Sequence, residues 1–119
     1  MLFTKPNFCR YRIDRLAVLH MLRAAARREM GDAKGCRESV SWIVARSEFI
    51  VRERQTIPFA LFELSILSYD EGNFEGAKSS MNGIREGFSD GYDFDRKLDT
   101  KIHLSIARID DYLKNGYEK

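Results

Sequence analysis

Toward the end of the chain, Leu98, Ile102, Ile106, Ile109 and Leu113 recur at spacings of four, four, three and four residues. That is one apolar stripe on an α-helix, with the charges on its other faces. The same periodicity, read along the whole sequence, predicts five helices at about residues 11–30, 33–50, 57–70, 74–87 and 94–114. Residues that stop and start helices stand between them. Gly31 and Gly72 follow helical stretches and suit the left-handed conformation that closes a helix C-terminus. Asp32 and Asn73, next in the chain, are residues that cap a following helix by accepting a backbone N–H bond. Pro58 fits a first helical turn, the stretch Gly87, Ser89, Asp90 and Gly91 predicts a turn, and Asp93 predicts an N-cap. No segment alternates with the period of a strand. The expected fold class is all-α.

The two Gly-Asp/Asn turns belong to an internal repeat with an offset of 41 residues. Gly31-Asp32 returns as Gly72-Asn73, Gly35 as Gly76, Ser39 as Ser80 and Ile43 as Ile84. Cys36, Arg37 and Val40 correspond in type to Ala77, Lys78 and Met81. Repetition at this length in a helical sequence points to stacked helical hairpins. The second hairpin fits the tetratricopeptide pattern, with Leu61 at the first large position, Leu64-Ser65 as the Leu-small pair, Gly72 and Phe74 at the turn, and Ala77 as the small residue. Ser65 and Ala77 are small so that two helices can approach, while Leu61, Leu64, Phe74 and Met81 fill the space around them. Cys36, the counterpart of Ala77, reads as a small buried apolar residue. Arg23 stands where the second hairpin has Leu64, so helix 1 is expected to be rotated or shifted. The expected organisation is one domain over 1–119: tetratricopeptide-like hairpins at about 11–50 and 57–87, then a capping helix at about 94–114 that buries its stripe on helices 3 and 4.

The repeat is longer than the usual tetratricopeptide period of ~34 residues, and the surplus lies in Ser47 to Thr56. Ile57-Pro58-Phe59 ahead of Phe62-Glu63-Leu64, then Gly72-Asn73, Ala77, Gly91-Tyr92, Leu98 and Lys101-Ile102-His103, resembles the C-terminal region of the tetratricopeptide repeat protein 39 family. That family includes the fungal inclusion-body-clearance proteins described as associated with the mitochondrial outer membrane. The similarity spans about residues 12–113. It implies a non-enzymatic adaptor linked to lipid droplets, aggregate clearance and ubiquitin-dependent turnover. Members are much longer, so the resemblance covers only the tail of their architecture.

A length of 119 residues with 44% hydrophobic and 32% charged residues suits one folded core. The net charge of +2 conceals an asymmetry: residues 1–57 carry twelve Lys/Arg against six Asp/Glu, and residues 58–119 carry eight against twelve. Such polarity can steer an acidic partner to the first half, although solvated helix faces account for it equally. No apolar run approaches the ~18 residues of a membrane span, and Met1 to Asn7 has no apolar core of a secretory signal. The expected location is cytoplasmic, or, from the resemblance, peripheral at the mitochondrial outer membrane or lipid droplets. Cys9 and Cys36 form no CxxC pair and read as reduced thiols.

Chemistry is hard to find. His20 and His103 lie on different helices and outside any HExxH or Cys/His set, which removes support for zinc and for a nucleophilic triad. His103, beside the helix 5 stripe, is expected to hydrogen-bond within the fold. Asp90, Asp93, Asp95 and Asp99 surround a helix start, where the dipole explains them, and they form no calcium-loop ladder. Gly83 to Gly87 lacks the Gly-Lys-Ser/Thr end of a phosphate loop. No catalytic residue, cofactor or metal is expected, and the chain reads as a non-enzyme. Arg23, Arg27 and Arg28 read as a solvated face with no nucleic-acid role, and Trp42 as core.

Helix 3 is the exception. Ala60, Leu61, Leu64 and Leu67 occupy its packing positions, yet Phe59, Phe62, Ile66 and Tyr69, spaced three, four and three apart, form a second apolar stripe. A helix apolar all round is usually buried on both sides. Either helices 1 and 5 cover that stripe, or it lines a groove for a partner's apolar segment, with Arg28 steering at the edge. The expected function is protein–protein interaction, the alternative a structural cap or a self-associating piece of a longer helical repeat.

Overall fold

A computed structural model describes residues 4–88 and 96–115, with side chains from Arg12 onward. The described residues form α1 (Thr4–Glu29), α2 (Ala33–Ala45), α3 (Thr56–Asp70), α4 (Phe74–Phe88) and α5 (Arg96–Asn115), with a short 3₁₀ turn at Ser47–Phe49 and no strand. The all-α expectation holds, and three of the five helices have both ends within two residues of the prediction. α1 begins earlier than residue 11, because Pro6 falls in its first turn, where the missing N–H costs nothing. α2 stops at Ala45 and not near 50: the Arg46 N–H turns back to the Ile43 and Val44 carbonyls and the helix ends there. α4 runs through Gly87 to Phe88. The predicted turn at Ser89–Gly91, the Asp93 cap and the Cys9 side chain lie outside the described residues.

The two turns are built alike. Gly31 and Gly72 sit at φ +83° and +87°, where a Cβ would be strained. In the first, the Asp32 N–H donates to the Arg27 carbonyl at 2.8 Å and the Gly31 N–H to the Arg28 carbonyl at 3.0 Å. In the second, Asn73 donates to Ser68 at 2.9 Å and Gly72 to Tyr69 at 3.0 Å. These are paired Schellman closures, which satisfy the last carbonyls of each helix. The Asp32 and Asn73 side chains then accept from the Gly35 and Gly76 N–H groups at 2.9 and 3.0 Å. Gly35 and Gly76 repeat because a Cβ at either would lie within 2.2 and 2.4 Å of the capping side chain.

Each turn folds one helix onto the next, so α1 packs on α2 and α3 on α4; α3 also packs on α1 and α2, and α5 on α4. The small residues are buried where the repeat puts them. Ala24 and Cys36 have no exposure in the first pair; Ser65 is 1% exposed and Ala77 fully buried in the second. Helix 1 is therefore in register at the small position, and only its neighbour differs: Arg23 is exposed where Leu64 is half-buried. One apolar cluster joins Ala17, Ala24, Val40, Ile43, Ala60 and Leu67; the other joins Phe62, Met81 and Ile84 to Leu98, Ile102 and Ile109 of α5. Helix 5 thus buries three residues of its predicted stripe, with Ile106 half-buried and Leu113 40% exposed.

The surplus segment between the hairpins is anchored by α1. Asp14 is 4% exposed, and its Oδ1 accepts from the Val51, Arg52 and Glu53 N–H groups at 2.9, 3.2 and 3.4 Å. Arg54 donates to the Ser47 and Ile50 carbonyls at 3.2 and 2.9 Å, and the Thr56 hydroxyl donates to the Glu53 carbonyl at 2.7 Å. Held this way, the segment drives Ile50 into the first cluster with no exposure. Asp14→Ala leaves three partly buried N–H groups without an acceptor and is expected to cost ~1–3 kcal/mol. An unchanged urea midpoint would show that the segment is held by something else.

Candidate functional site

With Leu98, Ile102 and Ile109 facing the core, the helical period places the rest of α5 on two flanks. On the flank toward α4, Asp99 pairs with Arg85 at 3.4 Å and Asp110 with Lys78 at 2.5 Å. On the opposite flank, Lys101, Leu104, Ser105 and Arg108 look across at α3. The space between is a groove of about 310 Å³ lined by those four with Phe62, Glu63 and Ile66 of α3 and Arg28 of α1. It continues into a narrower space of about 170 Å³ bounded by Ile66, Tyr69, Asp70, Ser105, Arg108 and, from α4, the buried Met81. Three rings meet beyond that end. Tyr69 stands edge-on to Phe74 and Tyr112, with centroids 5.2 and 5.9 Å away, and Phe74 stacks on Tyr112 at 5.1 Å.

The structure divides the predicted stripe of helix 3. Phe62 is 7% exposed and belongs to the core, touching the groove only at its floor. Ile66 and Tyr69 are half-buried, packed on the core and open to the groove. Phe59 is half-buried on the same core cluster and lines neither space. Arg28 stands at the groove's lip, but its role differs from the expected steering charge. Its guanidinium bonds Glu63 at 2.7 Å and lies 3.5 Å from Asp70 and 3.2 Å from Glu29. Burial pulls its pKa down, yet the Glu63 hydrogen bond and the three carboxylates outweigh that and leave it above the ordinary arginine value. Its charge is engaged inside the chain, locking α1 to α3.

Lys101, Leu104 and Arg108 were missed as a set. Leu104 is 66% exposed, and neither basic residue has an ion pair or hydrogen bond among the described residues. A helical wheel of α5 holds the signal: it separates Asp99 and Asp110 from Lys101 and Arg108, on either side of the apolar stripe.

Comparison with family models, with curated proteins and with solved structures finds no match.

The remaining chemistry-bearing side chains lie elsewhere. Burial, and then the nearby Glu63 charge, push the Cys36 thiol above its ordinary pKa, so it stays protonated and packs as the predicted small apolar residue. His103 is exposed on α5 and makes no hydrogen bond among the described residues, contrary to expectation, because its position turns away from the core stripe. Trp42 is half-buried and not fully core: its ring stacks on His20 with centroids 4.4 Å apart, and the Arg46 guanidinium lies 4.4 Å from its centre. The His20 Nδ1 is buried with no partner. Burial, followed by the charges of Arg23, Arg27 and Arg46, holds His20 below the ordinary histidine pKa. The unfolded chain therefore takes up a proton first as pH falls through about 6.5, and stability drops until the folded pKa is passed. The melting temperature should fall between neutral pH and about pH 5 more steeply in the native chain than in His20→Phe, which keeps the ring stack. Equal slopes would remove His20 from the pH dependence.

Proposed function

We propose that this chain is a non-enzymatic protein-interaction module of tetratricopeptide-like build, which takes a segment of a partner protein between α3 and α5. The observation that carries the reading is the groove wall on α5, where Leu104 stands exposed between two basic residues that have no ion pair among the described residues, opposite the half-buried Ile66. A concave apolar surface that no element of its own fold covers, rimmed by polar residues, suits an interaction site. Support for the tetratricopeptide-like build comes from the repeated Schellman turns and the buried small pairs Ala24/Cys36 and Ser65/Ala77. The family resemblance adds an adaptor role for partners at the surface of lipid droplets or mitochondria. No helix of the described residues is long and apolar enough to cross a membrane.

A second reading has its own observation. Leu19, Leu22, Ala26 and Met30 form an exposed stripe along α1, with Leu22 58% and Met30 73% exposed. Such a face suits a preceding helical repeat or a second copy, as in a structural cap. Sedimentation separates the two: a monomer favours the adaptor, and an assembly broken by Leu22→Glu with Met30→Glu favours the cap.

Leu104→Asp tests the main reading without touching the core. Its melting temperature should match the native chain, because the side chain is already in water. Short random peptides displayed on phage should be enriched by the native chain and not by the variant. Equal enrichment by both would contradict the groove.

A further inference from the structure

The two walls of the groove differ in charge for a reason visible in the pairing. On α3, Glu63 and Asp70 are both held by Arg28. On α5, Asp99 and Asp110 face α4 and are held by Arg85 and Lys78, and Asp111 accepts from the Asn115 side chain at 2.7 Å, while Lys101 and Arg108 face the groove with no ion pair among the described residues. Resting on the groove reading above, we infer that the occupant is an extended acidic–apolar segment, with two carboxylates that reach Lys101 and Arg108 and an apolar side chain between them that covers Leu104.

The spacing sets the pattern. Lys101 and Arg108 are seven residues apart on one helix, about 10 Å at ~1.5 Å per residue. An extended chain covers that distance in about three residues at ~3.3 Å each. Side chains alternate faces along an extended chain, so the ligand pattern is an Asp or Glu, an apolar residue two positions on and a further Asp or Glu two positions beyond it, the span of ~13 Å being met by the long Lys101 and Arg108 side chains. A helical ligand would instead carry its two acids seven positions apart at ~1.5 Å per residue, and enriched peptides with that spacing would overturn the extended form. A nucleic-acid backbone carries a charge on every nucleotide and would meet Glu63 and Asp70 on the facing wall, whereas two spaced carboxylates are directed to Lys101 and Arg108 alone. A carboxylate pair meets Lys101 and Arg108 directly and leaves the Arg28 pairs intact.

The test sequences the phage-displayed peptides that the native chain enriches and measures one of them, dye-labelled, by fluorescence anisotropy. The enriched peptides should carry the acid pair four positions apart with Leu, Ile, Val, Phe or Met midway between them. Lys101→Glu with Arg108→Glu should weaken the labelled peptide roughly tenfold, as two reversed rim charges imply, and added salt should weaken binding to the native chain. Both positions are exposed, so the melting curve should not move; Lys101→Gln with Arg108→Gln provides a neutral pair should the reversal disturb packing. Enriched peptides that are uncharged or basic, yet still depend on Leu104, would overturn the acidic occupant and leave the groove standing. No enrichment beyond that of Leu104→Asp would overturn the groove, and this inference with it.

Discussion

At Gly31-Asp32, and again at Gly72-Asn73, the chain reverses within two residues while leaving few helix-end groups unbonded. A left-handed glycine closes one helix, and the next side chain opens the following one. So short a link holds the two helices close along their length, and the closeness is tolerable only where small residues face each other. The buried small residues Ala24, Cys36, Ser65 and Ala77 therefore accompany the turns, as do Gly35 and Gly76 beneath the capping side chains. Enlarging any of these residues forces the pair apart, and with it the surface that α1 and α3 present together.

Ion pairs tie the successive elements above this framework. Arg28 joins α1 to α3, Arg37 reaches Glu71 at the end of α3 at 2.6 Å, and Lys78 and Arg85 reach α5. Most are solvent-exposed and contribute little to stability singly. Their larger effect is on which charges remain free: Glu63 and Asp70 on α3 are engaged, and Lys101 and Arg108 on α5 have no ion pair among the described residues. The recognition chemistry of the groove is what the internal pairing leaves over.

Much of the fold was legible because helix periodicity and turn chemistry are local. The repeat offset located both Schellman turns, the stripe located α5, and Cys36 was assigned its buried place from Ala77 alone. The errors came from long-range contacts. Nothing near Asp14 signals that its carboxylate holds residues 51–53 and so organises the surplus segment. Arg28 looked like a free surface charge because its partners Glu63 and Asp70 lie on another helix. Ser39 and Ser80 are identical across the repeat, yet Ser39 is buried and bonded to Arg27 while Ser80 is exposed, because only the first hairpin has an arginine to meet it. Phe62 looked equivalent to Ile66 and Tyr69 by spacing, but the arrival of α5 covers it first.

The groove exists only as long as α5 stays docked through Leu98, Ile102 and Ile109, and that docking is the central structural claim. Amide hydrogen exchange across α5 measures it directly. The account predicts that amides from Ile102 to Ile109 are protected about as strongly as those in the middle of α3, because both helices share one apolar cluster. Exchange of α5 near the unfolded rate, with α1 to α4 still protected, would mean that the second wall is not held in place and that the groove does not persist in solution.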